Sequence, residues 1–369
     1  MNFELYAEEH VPAARAFNER LAAGGVRERL AESPVPKWLP PSGSERLFQE
    51  YFVLRDGAAV RGAYVLKHQP FLVAGEAVTI ADYRFPISEG RSDPHFALVG
   101  LLTLKDALRR QPLLFGLGAG GFDEPVSRLL KNTRFRLVAC PFFFRVNHPN
   151  RFFRHITFLR GRRAVRLALD AAAFSGLGWV GIRLANVVKT RVLPDASDYV
   201  AEPVSTFGHW ADQVWEAAKQ EYALIAVRDR PLLDVLYPER ETRFERLKVT
   251  RRGRPVGWAV LLDTPMKTHR QFGDMRVGSV VDCLATPGEE TAVIHVATRH
   301  LVRAGVDLIV SNQLHDSWVR AFRNEGYFQG PSNFIFAASP RLAERINPFE
   351  TSYRRVHMTR GDGDGPINL

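Results

Sequence analysis

The feature that most limits what this chain can fold into is that its second half repeats the order of its first. Residues 50–55 and 60–67 read as two strands around an Asp56-Gly57 turn, where Gly57 accepts the positive φ of a tight hairpin. Residues 246–250 and 255–262 read the same way around Arg252-Gly253. A third strand follows in each half, 78–83 and 277–284, and each leads into a helix, about 93–110 and about 286–304. Each half then shows a short strand (112–117; 306–311), a short helix (123–132; 316–324) and a closing strand (136–146; 333–338). The turn glycines Gly57 and Gly253 lie 196 positions apart, and Pro94 and Pro287, each in a first helical turn, lie 193 apart. A common offset over so many elements points to a duplicated unit. Each unit opens with an antiparallel hairpin and then alternates strand, helix, strand. The expected class is therefore α/β with a mixed sheet rather than an all-parallel one.

The expected domains are 1–150 and 206–369, joined by a crossover at 151–205. Ahead of the first hairpin, residues 3–30 read as a helix with Phe17, Leu21 and Leu30 near helical spacing, and 33–43 as a loop with four prolines. A length of 369 residues suits two cores. No window of about 18 apolar residues occurs without charge, so no membrane helix is expected. The start has no basic segment followed by an apolar run, so no signal peptide is read there. Cys140 and Cys283 are the only cysteines; they exclude a disulfide framework and fit a reducing cytoplasm.

The net charge of +10 is unevenly spread: Lys131 to Arg166 holds ten Lys/Arg and no Asp or Glu, so the remainder sums to zero. Phe142-Phe143-Phe144-Arg145 and the following residues interleave aromatics with arginines. That suits a strand with buried aromatics and a solvated connector, a phosphorylated substrate, or RNA or acidic lipid. Gly116-Leu117-Gly118-Ala119-Gly120-Gly121 matches a dinucleotide fingerprint, but nothing acidic follows between Glu124 and Asp170 to bind a ribose, so it reads as a flexible turn. Thr286-Pro287-Gly288-Glu289 has the form of a capping box at a helix start, a place where free N–H groups attract anions. The equivalent loop in the first half, Ser88-Glu89-Gly90-Arg91-Ser92, sets an arginine and a serine beside a helix start and is the better phosphate cradle. His295 and His300 lack the spacing and glutamate of a zinc helix, so no metal is expected, and Cys283 reads as core. At the C-terminus Asp362 and Asp364 alternate with glycines, either as a frayed tail or as a site for a cationic amine or a metal.

Hairpin, strand, phosphate-type loop, long helix, strand, short helix, strand is the order of the GNAT acyltransferase superfamily, which the chain resembles over about 45–145 and 210–340. Val310-Ser311-Asn312 followed by Trp318 to Gly326-Tyr327 looks like that family's closing segment, and Asn132-Thr133-Arg134-Phe135 like a degraded copy. The tandem arrangement is similar to Fem-type peptidyl transferases. The family's Arg/Gln-x-x-Gly-x-Gly/Ala signature is absent from both halves. The resemblance implies two tandem GNAT-like domains and direct transfer of an acyl group from acetyl-CoA or another acyl-CoA to an amine such as an amino sugar or amino acid. It also implies a sheet pried open beside the third strand of each unit, where a backbone N–H meets the oxyanion. On that layout Asp282 is the expected base or amine anchor, with Asp82 its counterpart, Tyr327 the acid for the thiolate, and Asp362 a further site carboxylate. The CoA contacts expected are Gly90, Arg91 and Ser92 in one half and Thr286, Gly288, Thr291 and Asn312 in the other. The second half is favoured for the chemistry. Aminoacyl-tRNA-dependent transfer and a non-catalytic binding module are the alternatives.

Overall fold

The computed structural model describes residues 1–32, 39–40, 46–157 and 196–363; Asp364, the arginines from 160 to 166 and most of the expected crossover lie outside them. In chain order the strands are β1 (Asn2–Leu5), β2 (Phe48–Asp56), β3 (Ala59–Val73), β4 (Glu76–Ser88), β5 (Leu114–Ala119), β6 (Arg136–Ala139), β7 (Phe142–Val146) and β8 (Tyr199–Val204). They continue with β9 (Leu224–Ala226), β10 (Glu245–Arg251), β11 (Arg254–Pro265), β12 (Arg276–Ala285), β13 (Leu308–Asn312), β14 (Phe328–Gly330), β15 (Phe334–Ala338) and β16 (Val356–His357). The helices are α1 (Val11–Ala23), α2 (Val99–Arg110), α3 (Pro125–Asn132), α4 (Pro149–His155) and α5 (His209–Ala218). After them come α6 (Arg230–Leu236), α7 (Glu290–Ala304), α8 (Asp316–Asn324), α9 (Pro340–Arg345) and α10 (Phe349–Ser352).

Two compact units result, and neither is one continuous stretch. The first comprises Met1–Ala139, Ala223–Val227 and Asn333–Tyr353; the second Cys140–Tyr222, Arg228–Ser332 and Arg354–Leu369. The first sheet runs β1-β2-β3-β4-β5-β15-β6, and β9 also pairs with β3; the second runs β14-β7-β13-β12-β11-β10-β8. Position for position the two orders match, with β15 in the first sheet where β7 stands in the second. The single closing strand expected at 136–146 is thus two. Pro141 has no N–H to continue a ladder, and on either side of Cys140-Pro141 the chain joins different sheets.

The hairpins form as read, with Gly57 at φ 60° and Gly253 at φ 78°. The first helix is shorter than expected, because Gly24-Gly25 ends it and Asn2–Leu5 pairs with β2 instead. In the first unit α2 and α3 cover one sheet face through Tyr64, Leu66, Tyr83, Leu104 and Leu130. On the opposite face Phe17 and Leu21 of α1 pack on Val53, Ala63 and Ile87. In the second unit α7 stops at Gly305, whose left-handed φ of 82° lets its N–H reach back to the Leu301 carbonyl.

Candidate active site

Both sheets open at the same place. In the first unit β4 and β5 pair in parallel only at Ala81↔Leu114 and Asp82↔Phe115. Beyond that β4 runs on to Ser88 and β5 to Ala119 with no pairing between them among the described residues. In the second unit β12 and β13 pair at Val277↔Leu308, Gly278↔Ile309 and Ser279↔Val310, then part. Each opening lies beside a bulge. β4 slips against β3 between Ala63 and Val65, opposite Phe85-Pro86, and β12 slips against β11 between Val260 and Leu261, opposite Val281. A bulge sharpens local twist, which carries a strand away from its neighbour. Phe85 and Val281 are 196 positions apart, the hairpin offset again. Phe85 has φ 46°, a left-handed backbone that is costly for a bulky residue.

The two openings differ in what occupies them. In the second unit the chain's own residues 357–362 lie between β12 and β13. Leu314 donates its N–H to the Met358 carbonyl at 3.2 Å, and Gln313 and Thr359 form a β-bridge. The His357 ring donates from Nε2 to the Cys283 carbonyl at 3.1 Å. Asp282 is fully buried beneath this segment. It pairs with Arg228 (Nε to Oδ2, 2.9 Å), accepts the Tyr237 hydroxyl proton at 2.8 Å and accepts from Thr359 Oγ1 at 3.2 Å. Arg228 donates to Asp362 from Nη2 at 2.6 Å, and Asp362 in turn accepts the Thr359 N–H at 2.9 Å. Burial pushes the Asp282 carboxyl up while the Arg228 guanidinium opposes it; Arg228 itself is raised by its two carboxylates against desolvation. Asp282 and Asp362 are thus brought together, but on a shared buried arginine.

The other candidates in this unit also sit in packing. Tyr327 is buried, its hydroxyl on Thr298 at 2.8 Å and its ring edge-on to Phe322; burial pushes the phenol up. Asn312 holds the Cys140 and Pro141 carbonyls at 3.4 and 3.5 Å and accepts from Arg360 at 3.0 Å. Thr286 does not cap the helix as read: α7 starts at Glu290, and the Thr286 carbonyl accepts the Glu289 N–H in a turn. Gly288, at φ 89°, has open space where a side chain would stand, and Thr291 accepts from Asn324 at 3.5 Å. Glu289 is tied to Tyr199 and Arg251.

In the first unit the loop after β4 is fixed from behind. Glu89 is buried and held by Arg20 at 2.6 Å and Arg61 at 3.0 Å. The Gly90 N–H goes to Ser88 Oγ, and a side chain at Gly90 would collide with the Phe96 carbonyl. Ser92 closes the turn on the Glu89 carbonyl, and Arg91 reaches Glu28 at 2.8 Å with both partners partly in solvent. Phe85, 47% exposed, stands on β4 at the bulge, and Leu98, 69% exposed, stands in the turn that leads into α2. On the sheet face that α1 covers at its other end, Gln49, Lys67, Gln69, Asp82 and Arg84 are all buried; Lys67 stands opposite Asp82, and Arg84 Nε is 3.6 Å from its carboxylate. Charges inside an otherwise apolar strand were the available signal for Lys67 and Arg84. Arg228, Tyr237 and Thr359 gave none.

Among the described residues no group of three or more His, Cys, Asp or Glu is placed to hold a metal, and no helix is long and apolar enough to cross a membrane. His295 and His300 pair with Glu325 and Glu245 instead.

No protein-family model matches the chain, and no curated protein matches it. Solved structures do. A tandem GNAT protein from the clavulanic acid biosynthesis pathway superposes with a TM-score of 0.50 at 12% identity, over 91% of this chain and 97% of that one. Saccharomyces cerevisiae N-myristoyltransferase with bound myristoyl-CoA gives 0.51 at 11% identity, over 91% and 82%. A GCN5-related N-acetyltransferase from Anabaena variabilis gives 0.47 at 9% identity over 78% of this chain, which spans 62% of that protein's length. At these identities the likeness is one of fold: the chain has the tandem GNAT fold, two mixed α/β units in series.

Proposed function

We propose that this protein is an acyl-CoA-dependent N-acyltransferase and that its donor thioester lies in the opening of the first unit. The observation that carries the choice of unit is the inequality of the two openings: one is lined by the chain's own residues 357–362 and the other is bordered by exposed Phe85. One neighbour in fold is an N-myristoyltransferase with bound myristoyl-CoA, which supports the reaction class.

The chemistry asks for three things. An amine nitrogen attacks the thioester carbonyl carbon; a C–N bond forms, the C–S bond breaks, and the amine's proton ends on the departing thiolate. The transient oxyanion needs a donor aimed at it. At the bulge Pro86 has no N–H, which leaves the Phe85 N–H as the donor. The amine must arrive neutral and be held in line; Asp82, at the last position where β4 pairs with β5, is the carboxylate nearest the opening in sequence, with Lys67 and Arg84 on the same face. For the diphosphate of CoA, Arg91 is the group to hold it, since an ion pair half in solvent, as with Glu28, exchanges at little cost. Gly90 and Ser92 keep the loop tight behind it. Thr286, Gly288, Thr291 and Asn312 are then the vestige of the same loop and strand end, and Asp282, Tyr327 and Asp362 hold the second unit together.

Calorimetric titration with acetyl-CoA and longer acyl-CoAs, followed by a thiol-release assay over a panel of amines, tests the proposal. Arg91→Glu should weaken CoA binding about tenfold, the effect of one lost charge-assisted contact, and Gly288→Val should leave it unchanged. Salt-sensitive tRNA binding without CoA binding would select the aminoacyl-tRNA reading instead.

A further inference from the structure

The first unit contains a second concave site that the acyl-transfer reading does not use. It is a cavity of about 1320 Å³ between α3 with β6 on one side and α9 with α10 on the other. One wall is cationic: Arg128 and Lys131 lie three apart on α3, Arg134 on the turn after it and Arg136 on β6. Arg136 pairs with Glu350 at 3.7 Å, and Asp123 lines the cavity beside Phe122. Arg128, Lys131 and Arg134 make no ion pair among the described residues. Cations three apart on one helix face repel. The C-terminus of α3 favours Lys131 and Arg134 but not Arg128, a turn earlier, or Arg136, beyond it. Phe122, half exposed, and Tyr353 add flat apolar surface, and Glu344 and Glu350 stand on the opposite wall.

Arg134 stands at φ 65° because it closes α3: its N–H reaches the Lys131 carbonyl and the Phe135 N–H the Leu130 carbonyl, a left-handed helix end at which glycine is the residue most at ease.

The geometry points to a binding site for a compact phosphorylated molecule with a flat ring, a nucleotide in chemical class. The phosphates lie on Arg128, Lys131 and Arg134 and the ring on Phe122. The carboxylates on the far wall bound the cationic surface, which favours a small ligand over a long polyanion. The ligand is a free nucleotide, distinct from the CoA held at the opening.

The test is titration of the full chain with ADP. Binding should weaken with salt. Arg134→Gly should reduce affinity at least about tenfold, the loss of one charged contact, while leaving the denaturation midpoint unchanged or higher because glycine relieves the backbone. Arg128→Ala should act on binding in the same direction. Desulfo-CoA, held at the opening, should not displace ADP. Four results overturn the proposal: no ADP binding, ADP affinity unchanged in Arg134→Gly, displacement of ADP by desulfo-CoA, or a single-stranded RNA that displaces ADP and binds more tightly than it.

Discussion

Arg228 Nε lies 2.9 Å from Asp282 Oδ2, and both side chains are fully shielded from solvent. A buried pair of this kind is costly to break from one side, because the remaining charge has nowhere to go. Arg228→Met should therefore lower stability by about 3–5 kcal/mol in urea denaturation, since it orphans both Asp282 and Asp362. Where the variant still folds at low temperature, its acetyl-CoA affinity should match the parent's. A selective loss of turnover in Asp282→Asn, with folding intact, would return the chemistry to the second unit.

Acid should release the segment that lines that unit's opening. Burial holds the His357 ring down to about 4 and the His315 ring down to about 3, both below the usual 6.5. The unfolded chain therefore binds these protons first, so stability is complete above about pH 6.5 and falls as pH drops toward 4. His357 alone contributes on the order of 3 kcal/mol over that interval. Denaturation midpoints at pH 7, 6, 5 and 4 should fall, and His357→Gln should flatten the decline. A midpoint independent of pH across this range would be evidence against neutral buried rings.

Cys140 and Cys283 are both buried, and burial, with Asp282 beside it, pushes the Cys283 thiol well up. A chromogenic disulfide reagent should react with neither in the native protein and with two equivalents after unfolding. Rapid native labelling at Cys283 would mean that the region beneath residues 357–362 is open.

Glu89 anchors the loop after β4 through Arg20 and Arg61. Glu89→Gln should cost about 2 kcal/mol, as charged hydrogen bonds are lost, and should weaken acyl-CoA binding by loosening Gly90-Arg91-Ser92. If stability falls but CoA affinity holds, that loop does not carry the diphosphate.

The duplicated order of elements was legible because it rests on local chemistry: turn glycines at Gly57 and Gly253 and the strand runs they join; the prolines read as helix starts, Pro94 and Pro287, stand in turns ahead of α2 and α7. The exchange of β7 and β15 between sheets was not legible, because which sheet an apolar strand joins is a long-range choice. Only the Pro141 break hinted at it. Asp282 and Asp362 were each expected in one site of the second half; they do meet, but on a buried arginine that stands 54 positions from Asp282 with no local pattern to mark it. Burial was the missing quantity: a carboxylate at a strand end reads the same whether it faces substrate or a guanidinium. The unequal fates of the two openings depended on where residues 357–362 dock, which periodicity does not encode.

Hydrogen exchange with and without acetyl-CoA tests the central claim most directly, because it reports each opening separately. The account predicts new protection at residues 83–92 and 114–121, bordering the first opening, with residues 279–291 unchanged. Protection confined to 279–291, with the first unit unaffected, would contradict it.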